Sequence, residues 1–206
     1  MRCLAGLISA IVLFAAPAVA QEVMITPSMS SKQVTINGAT ITIAREQNPD
    51  AVIPDEYART ARACPPFCIH PMSAGDGVET IGELELLDFL ETNVAAGRGL
   101  LIDSRLPEWF EKGTIPGAIN VPFATVEETN PYRDQILEAL GAVKTGDGWD
   151  YAGAMELALF CNGAWCDQSS RAINSLMAVG YPADKLKYYR GGMQSWTSLG
   201  LTVNPP

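Results

Sequence analysis

The stretch Phe160-Cys-Asn-Gly-Ala-Trp-Cys-Asp-Gln-Ser169 decides how this chain is read. Leu157-Ala-Leu-Phe160 is an apolar run of strand length that leads straight into Cys161. Beyond Ser169, Ser170-Arg-Ala-Ile-Asn-Ser-Leu-Met-Ala-Val-Gly180 has the spacing of a helix. A cysteine between the carboxyl end of a strand and the amino end of a helix sits where α/β folds place their chemistry. The free N–H groups and dipole of that helix favour a thiolate, which is the reactive form of cysteine. Cys161 is therefore the first candidate nucleophile.

The flanking sequence alternates strands and helices. Gly99-Leu-Leu-Ile102 reads as a short buried strand ended by Asp103-Ser-Arg105, and Ile119-Asn-Val121 as another. Residues 132–143 read as a helix ended by turn residues around Gly146-Asp-Gly148, and Lys185–Tyr189 as a last strand before Gly191-Gly192. Thr80-Ile-Gly-Glu83 has the spacing of a capping box, followed by an apolar helix face of Leu84, Leu87, Phe89 and Leu90. This alternation implies an α/β domain with a central, mainly parallel sheet covered on both faces.

Ahead of that domain, residues 34–43 alternate apolar and polar around Asn37-Gly38, a pair that accepts the positive φ angles of a tight hairpin turn. Residues 44–78 are rich in Pro, Asp and Gly and show little periodicity. They read as an irregular strap over the main domain, stapled near Cys64-Pro-Pro-Phe-Cys68. The division expected is a signal peptide at 1–20, an extension at 21–79 carrying the hairpin and the Cys64/Cys68 segment, and the main domain at 80–206.

The signal-peptide expectation rests on Arg2, the apolar run Leu4–Ala16, and Pro17-Ala-Val-Ala20, an Ala-x-Ala site before Gln21. A membrane-spanning helix fits less well, because the run is short, contains Pro17 and ends in small residues. Periplasmic localisation follows, with no stable membrane insertion after cleavage. Cys3 leaves with the peptide. Loss of Arg2 takes the net charge from −9 to about −10. An acidic chain of this kind is a poor partner for nucleic acid or an anionic membrane surface.

Four cysteines then remain, and in an oxidising compartment they allow three pairings. Local pairing, Cys64 with Cys68 and Cys161 with Cys166, is the simplest. Cys64, Cys68 and His70 also form a Cys-x-x-x-Cys-x-His cluster. His70 is the sole histidine, no fourth ligand is evident nearby, and zinc would compete with oxidation. Neither a metal nor another cofactor is expected.

Three ordered blocks resemble the rhodanese-like sulfurtransferase family: Leu100-Leu-Ile-Asp-Ser-Arg105 with Glu108-Trp-Phe and Gly113-Thr-Ile-Pro-Gly-Ala-Ile-Asn-Val-Pro122; the strand–Cys161–loop–helix unit; and Tyr189-Arg-Gly-Gly-Met-Gln-Ser-Trp196. The resemblance spans residues 80–203 and implies a rhodanese-like three-layer domain with Cys161 as nucleophile. The thiolate would take the outer sulfur of a small sulfur-containing donor, become a persulfide, and pass that sulfur to a thiol or protein acceptor. The main chain of residues 162–168 (Asn162, Gly163, Ala164, Trp165, Asp167 and Gln168 around Cys166) would cradle the anionic sulfur, as backbone N–H groups cradle an oxyanion. By the same resemblance Asp103 and Arg105 would tie loops together near the site. Gly191 and Gly192 would let backbone pass close to the loop, and Arg190 and Arg171 could bring positive charge to its edge.

The chain departs from the family pattern at two places. Thr114 stands where a histidine is common before Ile-Pro-Gly-Ala. The reactive loop is longer than in common single-domain members, similar in length to the Cys-five residues-Arg loop of phosphatase relatives, but Asp167 occupies the arginine position. A carboxylate there repels phosphate, which argues against phosphatase activity and counts against dianionic thiosulfate as donor. Cys166 leaves three roles open: a thiol that attacks the Cys161 persulfide and releases sulfide, one half of a thiol–disulfide couple, or one half of a staple. Cys161–Cys166 is not the Cys-x-x-Cys of thioredoxins.

Overall fold

A computed structural model describes residues 21–146 and 148–204. Residues 1–20, on which the signal-peptide reading falls, lie outside the described residues. The chain opens with β1 (Ser31–Ile36) and β2 (Ala39–Ala44), an antiparallel hairpin in which Asn37 (φ 52°) and Gly38 (φ 80°) form the expected turn. The strap that follows contains one short helix, α1 (Asp55–Ala58), and otherwise irregular backbone.

The main domain then runs β3 (Glu79–Thr80), α2 (Glu83–Phe89, continued by a wider turn over Leu90–Val94), β4 (Gly99–Asp103), α3 (Pro107–Phe110), β5 (Ala118–Asn120) and α4 (Arg133–Ala139). A small hairpin, β6 (Val143–Thr145) and β7 (Gly148–Asp150), precedes β8 (Glu156–Phe160), α5 (Gln168–Ala178), β9 (Leu186–Tyr188) and α6 (Gly192–Ser198). Five strands form one parallel sheet in the order β3-β9-β8-β4-β5, with β8 at its centre.

Side chains of β8 alternate between the two faces of this sheet, as the two-residue period of a strand requires. Ala158 and Phe160 join one apolar layer with Leu86, Leu87, Leu101, Met193 and Trp196. Leu157 and Leu159 join the other with Leu137, Ile173, Leu176 and Tyr188. The result is the three-layer arrangement expected for a sheet buried on both sides. The hairpin and strap contribute Val34, Ile43 and Tyr57 to the first layer, so the extension shares the core of the main domain.

Three local expectations are corrected. The cap at α2 lies two residues later than read, at Gly82, whose N–H donates to Glu85 Oε2 at 3.1 Å, while the Thr80 hydroxyl donates to the Met72 carbonyl. That later start turns the helix so that Leu86 is buried and Leu84 is exposed. The helix read over 132–143 stops at Ala139: the N–H groups of Gly141 and Ala142 turn back to the carbonyls of Glu138 and Leu137 and close its end. Val143–Thr145 is released to pair with Gly148–Asp150.

Candidate active site

The carboxyl end of β8 delivers Cys161 into a loop clamped from two sides. The N–H groups of Met193 and Gln194, at the start of α6, donate to the carbonyls of Cys161 (3.0 Å) and Asn162 (2.9 Å). Gly192 occupies the point of closest approach at φ 55°, where an added Cβ would lie 2.3 Å from the Cys161 carbonyl oxygen and 2.8 Å from the Gly163 nitrogen. No other residue type fits there without moving the loop. Gly191 packs beside Ser195. Within the loop the Cys166 N–H donates to the Gly163 carbonyl at 2.9 Å and closes a tight turn around the thiol.

Cys161 and Cys166 are both free and buried, whereas Cys64 and Cys68 are joined in a disulfide, so of the two local pairings only Cys64–Cys68 is present. The Ser169 hydroxyl donates to Cys161 Sγ at 3.2 Å, and the Cys161 thiol faces the Cys166 carbonyl at 3.2 Å. Burial works against ionisation of Cys161. Donors from the Cys166 thiol, the Ser169 hydroxyl and the N–H groups of Ser169 and Gly163 outweigh it, and the thiol is lowered from 9.0 to about 7. Cys166 moves the other way, because it donates to the Cys161 thiolate and is itself buried. Of the two, Cys161 is the one that ionises first.

The remaining residues read from the sequence divide between cradle and scaffold. Asn162 is buried, with its Oδ1 3.4 Å from Arg105 Nη1. Trp165 is nearly buried and donates through Nε1 to Gln194 Oε1 at 2.7 Å. Ala164 offers its carbonyl to the His70 N–H at 2.9 Å, which seats the strap on the loop. Asp167 lies at the entry to α5, and Gln168 Oε1 is 3.7 Å from Cys166 Sγ. Arg190 is turned to the strap, donating to the carbonyls of His70 (2.7 Å) and Pro71 (3.0 Å), and Arg171 pairs with Glu127.

Asp103 and Arg105 form a fully buried ion pair beneath the loop, with Arg105 Nε 2.8 Å from Asp103 Oδ1 and Nη2 2.5 Å from Oδ2. Arg105 also donates to Tyr57 Oη, at 2.9 Å, and to the Gly113 carbonyl, at 2.7 Å. The Thr114 hydroxyl donates to Asp103 Oδ2 at 2.8 Å, so the departure at this position keeps a donor to the carboxylate. One guanidinium therefore joins the strap, the β4 loop and the reactive loop.

Three functional neighbours escaped the sequence reading. Ser169 was visible only as the first polar residue of a helix, yet it is the hydroxyl donor to Cys161. Tyr188, on β9, is buried, and its phenol is pushed up to about 12 by that burial and then by a negative Cys161. The strap adds Arg62, whose guanidinium stacks 3.6 Å from the Trp165 ring centroid, with Phe67 edge-on to the same indole at 5.6 Å.

A family model described as the rhodanese-like domain matches residues 85–199. Among curated proteins, an HTH-type transcriptional regulator of Mycobacterium tuberculosis is 30% identical over 130 residues, 63% of this chain and 46% of the regulator. The chain thus spans about half the length of that relative. Among solved structures, a human single-domain sulfurtransferase is 26% identical with a TM-score of 0.40, over 58% of this chain and 96% of its own. A rhodanese-related protein from Thermoplasma volcanium is 18% identical with a TM-score of 0.39, over 62% of this chain and 99% of its own. A Rhodopseudomonas palustris protein of unknown function, described as a possible tyrosine phosphatase, is 18% identical with a TM-score of 0.46, over 64% of this chain and 88% of its own.

Proposed function

The chain belongs to the rhodanese-like domain family, and from that premise we propose that it is a sulfurtransferase whose Cys161 carries sulfane sulfur as a persulfide. The observation that carries this reading is the convergence of the Cys166 thiol, the Ser169 hydroxyl and the Ser169 and Gly163 N–H groups on one sulfur atom, which together outweigh its burial and lower its thiol to about 7. The same donors would hold the terminal sulfur of a persulfide, an anion of the same charge one atom longer.

In the first step the Cys161 thiolate attacks the outer sulfur of the donor. A Cys161 S–S bond forms, the donor's own bond to that sulfur breaks, and the donor leaves as sulfite or a sulfinate. In the second, an acceptor thiolate attacks the terminal sulfur and Cys161 departs as thiolate. Cys166 offers an internal alternative. Its thiol gives up a proton and attacks Cys161 Sγ, hydrosulfide leaves, and a Cys161–Cys166 disulfide forms. An external dithiol must then reduce that disulfide to restart the cycle. Asp167 at the loop's end favours a monoanionic donor over dianionic thiosulfate.

The protein would act after export to a periplasm, on a small donor and a thiol or protein acceptor. The Cys64–Cys68 disulfide suits an oxidising compartment. Recovery of the periplasmic protein with Gln21 as its first residue is the expected result, and an intact residue 1–20 segment would overturn export by cleavage.

The central test is peptide mass spectrometry after incubation with a thiosulfonate anion. One sulfur atom should be added at Cys161 and be removed by cyanide as thiocyanate. A Cys161→Ser variant that forms thiocyanate as fast as the parent would overturn the reading.

A further inference from the structure

Between the strap and the reactive loop lies a cleft of about 690 Å³, lined by Arg59, Thr60, Arg62, Phe67, Ile69 and Trp165, the Cys64–Cys68 disulfide and Gln194. This volume is within the range of small-molecule sites. The lining contains two arginines and no carboxylate, on a chain of net charge −9. Among the described residues neither Arg59 nor Arg62 has an ion-pair partner within 4 Å. Asp55 and Glu56 share a neighbouring surface depression with Arg59 but stop short of pairing with it. Arg62 is committed to the Glu56 backbone carbonyl through Nη2, while its Nε is buried with no hydrogen-bond partner. Burial, and next the positive Arg59, pull Arg62 below its ordinary value.

Two unpaired cations lining one cleft repel each other, and an anion between them relieves that repulsion. The apolar wall is equally specific. Phe67 and Ile69 are exposed at 41% and 85%, and the Trp165 indole forms the floor, fixed by Arg62 above and Gln194 at its edge. The same indole packs with Cys161 and Cys166.

We propose that this cleft binds a small organic anion, with a sulfonate or carboxylate head between Arg59 and Arg62 and an apolar body against Phe67, Ile69 and Trp165. Organic thiosulfonates and mercapto acids share this chemistry. Its assignment as the donor or acceptor site rests on the sulfur-transfer reading; the binding itself does not. The extension thereby supplies the substrate selectivity that the arginine-free reactive loop lacks. Trp165 thus lines the cleft and packs with both thiols.

The test is equilibrium binding of benzenesulfonate and of neutral benzenesulfonamide to the full chain, followed by calorimetry and tryptophan fluorescence. The sulfonate should bind at least about ten-fold more tightly than the sulfonamide, as expected for a charge-assisted contact. Arg59→Gln with Arg62→Gln should abolish that preference, and Arg62→Lys should keep most of it. Equal affinity for the two compounds in the parent, or a preference that survives the double glutamine variant, overturns the proposal. Mass spectrometry of Cys161 separates the two readings. Selective binding without persulfide leaves the anion site standing and removes sulfur transfer, whereas persulfide without selective binding removes the site.

Discussion

The Ser169 hydroxyl donates to Cys161 Sγ at 3.2 Å from a side chain with no exposed surface. A hydrogen bond to a charged group contributes about 1.5–3 kcal/mol, so Ser169→Ala should raise the pH midpoint of Cys161 alkylation by at least about one pH unit. Iodoacetamide labelling rates across pH measure this directly. An unchanged midpoint would mean that the Cys166 thiol and backbone N–H groups hold the thiolate without the hydroxyl.

The same lowering makes a statement about stability. In the unfolded chain the thiol keeps its ordinary value of 9.0, and in the fold it titrates at about 7. Between these values the unfolded state binds more protons, so the contribution of Cys161 to stability grows as pH rises from about 7 to about 9 and is lost as pH falls through 7. Urea midpoints of the parent should rise over this window relative to those of Cys161→Ser.

Gly192→Ala should destabilise the fold by about 2–4 kcal/mol, combining a forced methyl contact with a left-handed backbone. The contact is with the main chain of the reactive loop itself, so Cys161 alkylation should lose its low-pH midpoint even under conditions where the variant is folded. A folded variant with the parental alkylation profile would show that the loop does not depend on this close approach.

Arg105→Met leaves the Asp103 carboxylate buried without its cation, a change that removes about 3–5 kcal/mol. Because Arg105 also holds Tyr57 Oη, the strap should loosen together with the core. Denaturant unfolding gives the first quantity, and faster hydrogen exchange at His70, whose N–H is bound to Ala164, gives the second.

Cys64→Ser with Cys68→Ser removes a short cross-link, four residues apart, and should lower global stability by no more than about 2 kcal/mol. Its local effect should be larger. Phe67 and Arg62 flank the bridge and cover Trp165, so the cysteines beneath should become more reactive to alkylating agents. Unaltered alkylation rates would show that the strap is held by Arg190 and Tyr57 alone.

The sheet, its flanking helices and the position of Cys161 were legible because each rests on short-range pattern. Apolar runs of strand length, the Asn37-Gly38 turn and the cysteine between strand and helix all announce themselves locally. Helix limits were less legible, since Leu84 and Leu86 are equally apolar and only the Gly82 cap decides which is buried. The free state of Cys161 and Cys166 was one of the readings their spacing left open, and spacing alone could not choose it. Two cysteines at close spacing are compatible with a pair, whereas the donors that favour a thiolate at Cys161 are the Cys166 thiol, the Ser169 hydroxyl and backbone N–H groups, which no spacing reveals. Arg59 and Arg62 gave no signal for a similar reason: their meaning depends on Trp165, which lies a hundred residues away along the chain.

The tail and the extension are stitched together: Arg45 bridges Leu201, the Glu46 N–H donates to the Gly200 carbonyl, and Thr202 exchanges hydrogen bonds with Ala44. A cut at residue 79 would therefore divide the sequence without dividing the fold. The contacts that join the hairpin to residues 200–202 are far apart in sequence, and such non-local pairings slow assembly. Excising residues 80–206 as a smaller protein would uncover Leu86, Leu90 and Trp196 where Val34, Ile43 and Tyr57 now lie. That fragment should aggregate, and adding residues 21–79 as a separate peptide should restore its solubility.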